Sequence, residues 1–150
     1  MLALGSIQST VKAQIDANAF FSAAPTVACI IDDGTQDGAI EVQLRSKGFV
    51  VVLPNILKAG RRDLGGGKLA LDAEFVVRVL ANPHVNTAVG GANRNVYSAI
   101  GAVVSAILSW SPVNAGDRKF ETSPEWLQLT TQDPGLMAYD LFFTKLSTLN

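Results

Sequence analysis

The chain has too few cysteine and histidine residues to build the sites that these residues usually form. Its 150 residues include one cysteine, Cys29, and one histidine, His84. One cysteine cannot make a disulfide framework, and no group of histidine, cysteine and carboxylate residues has the spacing of metal ligands. Cys29 lies in the apolar run TVACII, which predicts a buried, unreactive thiol. The sequence therefore predicts no metal site and no bound cofactor.

An excess of charge of one sign and long apolar runs are also missing. Twelve basic and thirteen acidic residues give a net charge of −1, so the chain lacks the positive charge typical of nucleic-acid-binding domains. No apolar run approaches the roughly 18–20 residues of a membrane span, and the first ten residues lack the pattern of a signal peptide. The sequence therefore favours neither a membrane protein nor a protein that binds nucleic acid through its overall charge.

Apolar residues, by contrast, are abundant. They make up 48% of the chain against 17% for charged residues, and the mean hydropathy is +0.26. This composition is typical of a folded protein, and the length suits a single domain over residues 1–150. A small monomer this apolar would expose large patches, so the composition indicates a surface for a partner and favours assembly.

Residues 68–83, KLALDAEFVVRVLANP, are predicted to form the central strand. Apolar residues recur at every second position: Leu69, Leu71, Ala73, Phe75, Val77 and Val79. A period of two is typical of a strand with one buried face. The run reaches about 13 residues, well above the typical strand of about 5–6. Pro83 ends the strand because proline has no N–H to donate.

The elements before this strand follow from spacing and end signals. Apolar residues spaced by three and four predict a helix over residues 4–21, and Thr26–Ile31 reads as a short buried strand. Residues 36–47 allow either a strand or a helix; the helix is favoured because Glu41 can pair with Arg45 and because Lys47-Gly48 is a helix-stop signal. The apolar run FVVVL at Phe49–Leu53 predicts a strand buried on both faces.

The elements after the central strand complete the fold. The apolar pattern predicts a helix over residues 96–110. It also predicts two strands, Trp126–Thr131 and Leu136–Ser147, joined by a turn at 133–135. The element order predicts an α/β (α+β) fold, with a mixed, mainly antiparallel sheet packed against two long helices and a long hairpin arm. The predicted core consists of Val27, Ile30, Val50, Val52, Leu71, Phe75, Val77, Ile100, Val104 and Leu108.

The predicted arm is the connection at residues 54–67, PNILKAGRRDLGGG. It is too long for a tight hairpin, and loops of this length are usually functional or disordered. Its three glycines do not form a phosphate-binding loop, because that motif needs a Lys-Ser/Thr pair and a helix directly behind it. We therefore predict an arm that becomes ordered against neighbouring copies. The predicted assembly-interface residues are Arg61, Arg62, Asp63, Leu64, Gly65 and Gly66.

The remaining polar residues do not combine into a catalytic site. Turn formation accounts for Asp32 and Asp33, the serines lack a nucleophile-elbow setting, and His84 has no catalytic partner. The sequence therefore predicts a protein that is not an enzyme, with no catalytic residue. The alternative is a small-ligand-binding domain or enzyme with a pocket between helix and sheet.

Three segments together resemble a known family. They are AIEVQLRSKGFVVVLP, LALDAEFVVRVLANPHVN and a helix ending in AILSWSP, within residues 37–112. Their succession resembles the neck and tail-completion proteins of tailed bacteriophages and prophages, especially the tail terminators. This resemblance implies a sheet with helices and a ring, usually hexameric, that caps the tail tube and joins it to the head connector at the neck.

The resemblance also implies a location and partners. The protein would be made in the host cytoplasm and built into the virion at the tail and neck, where DNA crosses the lumen of the ring only transiently. Its partners would be other copies of itself and the tail tube and connector proteins. The resemblance also allows a contact with the tail sheath. A lumen-lining protein is expected to be acidic, whereas this chain is nearly neutral. Another neck protein or a sheath-associated protein therefore stays open as an alternative.

Overall fold

A six-stranded sheet forms the centre of the protein in the computed structural model. The structure describes residues 1–23, 26–53, 56, 58–63, 69–82, 84, 96–114, 116–133 and 136–148. A short 3-10 turn at Leu4–Ser6 precedes the first helix. The elements in chain order are α1 (Ile7–Ala17), α2 (Ala19–Ser22), β1 (Cys29–Ile31), α3 (Asp37–Lys47), β2 (Phe49–Leu53), β3 (Lys58–Asp63), β4 (Leu69–Ala81), α4 (Val96–Leu108), β5 (Glu121–Asp133) and β6 (Leu136–Ser147). The α+β fold with a mixed, mainly antiparallel sheet is confirmed.

The long strand β4 is central, as its alternating pattern predicts. The strand order is β1-β2-β4-β6-β5, with β3 also paired to β4, and among these six described strands β1 and β2 are the one parallel pair. One edge of β4 pairs with β6 from Leu71 to Ala81. The other edge pairs with β3 over residues 69–74 and with β2 over residues 78–81. Strands β2 and β3 therefore follow each other along the same edge of β4.

The prediction that residues 54–67 form an irregular connection is wrong for its middle part. Residues 58–63 form β3, which pairs with β4 residue by residue from Lys58↔Glu74 to Asp63↔Leu69. The sequence KAGRRD has no apolar alternation because this strand lies at an exposed edge, so it gives no period-two signal. A long hairpin, β3–β4, is thus part of the sheet itself.

Helices α1 and α4 pack on one face of the sheet and form the main core with it. From α1 come Ile7, Val11 and Ile15, and from α4 come Ile100, Val103 and Ile107, all at most 3% exposed. These residues pack with every second residue of β4, from Ala73 to Ala81. We call this the helix face of the sheet and the opposite one the outer face.

The predicted core is correct in part. Val27, Val50, Val52, Phe75, Val77 and Ile100 are buried, whereas Ile30, Leu71 and Val104 are half-buried and Leu108 is 36% exposed. Leu108 is exposed because Ile100, Val103 and Ile107 occupy the inward side of α4. Val50 and Val52 are buried on the outer face, where α3 covers β2; the prediction that β2 is buried on both faces is therefore confirmed.

The helices are shorter than the two long helices that the sequence predicts, and the first one is divided. The predicted helix over residues 4–21 is divided, since Asn18 adopts an extended backbone and its side chain accepts a hydrogen bond from the Phe20 amide. An asparagine in this position ends one helix and caps the next. Among the described helices, α4 has 13 residues, and α1 and α3 have 11 each.

Helix α3 agrees with its prediction. Arg45 pairs with Glu41 at 2.5 Å, one helical turn apart. Gly48 ends the helix with a φ of 78°, in the left-handed region that glycine adopts without a steric penalty. The helix interpretation of residues 36–47 is therefore confirmed over the strand alternative.

The last two strands form the other side of the sheet. Strand β6 has the predicted bounds, whereas β5 begins five residues before the predicted Trp126. The register of β5 on β6 shifts twice, between Thr122 and Leu127 and between Leu129 and Thr131. Such bulges interrupt the alternation from which a strand is recognised. Residues 134 and 135 of the predicted turn lie outside the described residues.

Candidate assembly surface

The sheet has one blocked edge and two open ones. At the blocked edge, β1 is only three residues long, and Lys12 of α1 donates a hydrogen bond of 2.6 Å to the Cys29 carbonyl oxygen. Lys12 is held in place by an ion pair with Asp16 at 2.8 Å. A short edge strand whose carbonyl is already bonded is a poor template for another strand.

The first open edge belongs to β3 and contains part of the predicted interface. Within the described ranges, β3 pairs with β4 and no other strand. Lys58, Ala59, Gly60 and Arg61 are exposed, while Arg62 is half-buried and pairs with Asp72 at 2.8 Å. The six residues carry three basic groups and one acidic group, a net charge of +2.

The structure places the predicted interface residues in two groups. Arg61, Arg62 and Asp63 lie in β3, opposite Leu71, Ala70 and Leu69. Because strand residues alternate, Arg61 lies on the helix face and Arg62 on the outer face. The other three predicted residues, Leu64, Gly65 and Gly66, lie outside the described residues.

The second open edge belongs to β5 and was not among the predicted interface residues. In the described part of the chain, β5 pairs with β6 alone. Two apolar side chains of β5, Leu127 and Leu129, are 39% and 43% exposed on the helix face. The 13 residues of β5 include Glu121, Glu125 and Asp133 and no lysine or arginine, so the strand has a net charge of −3. The alternation of apolar and polar residues around Leu127 predicts a strand, but it does not predict that Leu127 and Leu129 are exposed.

The outer face carries ion pairs that involve β4. Arg78 donates two hydrogen bonds to the Asp140 carboxylate, at 2.7 Å and 3.0 Å. These bonds raise the pKa of Arg78 above its usual value, so the guanidinium stays charged. Lys58 pairs with Glu74 across the β3–β4 hairpin at 3.4 Å. Among the described residues, no group of three or more histidine, cysteine, aspartate and glutamate residues could hold a metal ion.

The polar residues considered as candidate catalysts have structural roles. Asp32 accepts a hydrogen bond from the Gly34 amide, and Asp33 accepts bonds from the amide and hydroxyl of Thr35. The hydrogen bonds from Thr35 lower the pKa of Asp33. His84 is exposed in a turn, where its amide donates to the Asn82 side chain. These contacts agree with turn formation for Asp32 and Asp33 and with a surface position for His84.

The space between the helices and the sheet is filled by side chains. Val103 and Ile107 of α4 and Val77 and Leu141 of the sheet have no exposed surface. Surface depressions lie elsewhere: one of about 380 Å³ between α3 and the outer face beside Arg78, and one of about 420 Å³ over Glu74 and Phe142. Among the described residues, these buried side chains leave the space between α4 and the sheet filled, which does not favour the alternative of a ligand pocket there.

Cys29 is buried, and this gives a direct test of the core. Burial raises the pKa of its thiol to about 12, so the thiol stays protonated at pH 8. Because the thiolate is the nucleophile, we expect no labelling of the native protein by iodoacetamide at pH 8 and complete labelling in denaturant. Mass spectrometry measures both; rapid labelling of the native protein would contradict the packing of β1.

These observations define an α+β fold in which two described strands, β3 and β5, have open edges. None of its described helices is long and apolar enough to cross a membrane. No family model and no curated protein matches the sequence. Among solved structures, the chain is similar to one from the "Virion of native gene transfer agent (GTA) particle". The TM-score is 0.64 at 18% identity, over 95% of this chain and 94% of that one, which shows a shared fold.

Proposed function

We propose that this protein is a structural component of a phage-like virion. The observation that carries the proposal is the agreement of fold with the gene transfer agent virion chain along nearly the whole length of both chains. The match extends over 95% of this chain and 94% of that one, with a TM-score of 0.64. We expect a role through shape and assembly rather than catalysis.

The proposed position is the junction of tail and neck. There, copies of the chain would form a closed ring, hexameric by resemblance to the tail terminators, that ends the tail tube and joins it to the head connector. This finer assignment is supported by the three sequence segments within residues 37–112. DNA would cross the lumen of the ring only transiently, and the outside of the ring would be available to a sheath.

A ring needs two different contact surfaces on each copy. In a heterologous contact, one patch of a subunit meets a different patch of the next, and the series closes when the rotation between copies permits. The β3 edge with Arg61, Arg62 and Asp63 is one candidate surface. The other predicted interface residues, Leu64, Gly65 and Gly66, lie outside the described residues. An interface at one edge of the sheet therefore agrees with the proposed ring.

The experiment is to remove the protein from the particles that carry it. Particles made without it should have tails of abnormal length or tails separate from heads, as seen by electron microscopy, and infectivity or transfer should be lost. Supplying the intact chain from a plasmid is the control and should restore joined particles. Normal, active particles without this protein would overturn the proposal, as would a reproducible catalytic turnover by the purified chain.

A further inference from the structure

We propose that β3 of one copy pairs with the open edge of β5 of the next copy, so that the sheets of neighbouring copies become continuous. This inference rests on the proposed function, because it names the two surfaces through which copies of the ring meet. An open strand edge offers unpaired N–H and C=O groups, and the addition of another strand satisfies them. The occupant of each edge is thus a second copy of the same chain.

The strand directions permit this pairing without turning a copy over. Strand β3 is antiparallel to β4, β4 to β6, and β6 to β5. Strand β3 therefore runs antiparallel to β5 within one copy. When a second copy continues the sheet in the same orientation, its β3 meets β5 of the first copy as an antiparallel pair. The same step can then be repeated from copy to copy.

The charges of the two edges favour this pairing over the alternatives. Counted over their residues, the net charge is +2 on β3 and −3 on β5, and two of the three basic groups of β3, Lys58 and Arg62, also pair with Glu74 and Asp72 of β4. Two β3 edges, or two β5 edges, would bring like charges together, which is unfavourable between neighbouring strands. The β1 edge is occupied by Lys12. Opposite edges therefore attract, whereas symmetric pairs of identical edges repel, as a head-to-tail ring requires.

The side chains at the two edges also complement each other in size. On the helix face, β5 exposes Leu127 and Leu129, whereas β3 presents Ala59 and Arg61. Ala59 lies level with Ala73 of β4 and Leu129 with Val79, so a displacement of the next copy by six residues along the strands brings Ala59 opposite Leu129 and Arg61 opposite Leu127. The small alanine then leaves room for the leucine side chain, and the arginine stem can cover apolar surface while its charged end stays in water. Gly60 is open as well, since no atom lies within 4 Å of the place where a Cβ would stand. Pairing would remove from water the apolar surface that β5 leaves exposed.

Cysteine cross-linking tests the pairing of unlike edges. Ala59→Cys in β3 and Leu129→Cys in β5 lie on the same face, and the native Cys29 is buried. With a short bismaleimide linker, assembled protein that carries both changes should give a ladder of covalent dimers, trimers and larger species. Each single variant should stay monomeric on a denaturing gel. A matched control combines Ala59→Cys with Ser105→Cys, an exposed position on α4, and should give no ladder.

The outcomes separate this inference from the proposed function. A ring seen by mass or by imaging without a ladder would overturn the edge pairing and leave the structural role in place. Covalent dimers from either single variant would show that identical edges meet, which also overturns it. Particles that assemble normally without the protein would overturn both. A ladder from the double variant alone would support the pairing of β3 with β5.

Proline substitution tests the backbone of β3. Ala59 and Gly60 are adjacent, so one N–H points towards β4 and the other towards the open edge. Ala59→Pro and Gly60→Pro should therefore differ: one should lower the melting temperature, and the other should fold normally and weaken association about tenfold, the effect of one or two lost hydrogen bonds. Sedimentation of both variants measures this. A normally folded proline variant that assembles like the parent would overturn the inference.

Discussion

Replacing Phe75 by alanine is expected to destabilise the protein by about 3–5 kcal/mol, the usual cost of removing a buried aromatic ring. Phe75 lies in the middle of β4 and is 3% exposed. Its ring stacks on Phe143 at 5.6 Å between centroids and meets the edge of Phe120 at 5.7 Å. Phe120 in turn contacts Trp110 at 5.2 Å, so the substitution opens a cavity inside an aromatic cluster.

Denaturant unfolding monitored by circular dichroism measures this loss, and Leu108→Ala is the control. Leu108, like Phe75, is an apolar residue of the predicted core, but it is 36% exposed at the end of α4. Its replacement should cost about 1 kcal/mol or less, as is usual away from buried sites. An unfolding midpoint of Phe75→Ala equal to that of the parent would show that the ring is not part of the core.

Replacing Asp117 by asparagine is expected to cost about 3–5 kcal/mol, because it leaves a buried lysine without its partner. Lys145 and Asp117 form an ion pair at 2.7 Å, and their side chains are only 0% and 5% exposed. The ammonium also donates to the Leu146 carbonyl oxygen at 2.8 Å. It lies 5.1 Å from the centre of the Trp110 ring and 5.8 Å from that of Phe120. The Lys145–Asp117 ion pair therefore lies next to the aromatic cluster.

A double-mutant cycle isolates the contribution of this pair. Combining Lys145→Met with Asp117→Asn should recover much of the lost stability, since an apolar side chain among aromatic rings needs no charged partner. The exposed pair Lys12–Asp16, at 2.8 Å with side chains 40% and 44% exposed, serves as the control. Asp16→Asn should cost less than about 1 kcal/mol. Equal losses from Asp117→Asn and Asp16→Asn would contradict the burial of Lys145.

Elements with a buried face were predictable from the sequence. The alternation in β4 and the apolar run of β2 gave the centre of the sheet, because burial imposes a period on the residues that contact the core. The Glu41–Arg45 spacing and Gly48 likewise predicted α3 and its end. The division of the first helix was missed, since Asn18 interrupts a pattern whose apolar spacing continues on both sides.

Elements at the periphery were less predictable. Strand β3 has basic residues and no apolar face, so only its pairing with β4 identifies it as a strand. Leu108 continues the apolar pattern of α4, yet the position of the helix on the sheet leaves it exposed. Local sequence does not determine which side of a helix a distant strand will cover.

The sequence drew attention to one of the two candidate edges. Arg61 and Arg62 stand out in the sequence as adjacent arginines within the long connection at residues 54–67. The complementary edge of β5 could not be inferred, because the position of a strand in the sheet depends on the order β1-β2-β4-β6-β5 and not on the strand itself. Glu121, Glu125 and Asp133 indicate a candidate contact surface only once β5 is known to be an edge strand.

Imaging of the particle is the most direct test of the proposed role. The protein would be fused to a compact tag at its carboxyl end, and purified particles would be averaged by electron cryomicroscopy with untagged particles as the control. We predict extra density in a single ring, with six-fold symmetry, at the junction of tail and neck. Extra density distributed along the tail or over the head, or particles that contain none of the protein, would contradict a ring at the tail–neck junction.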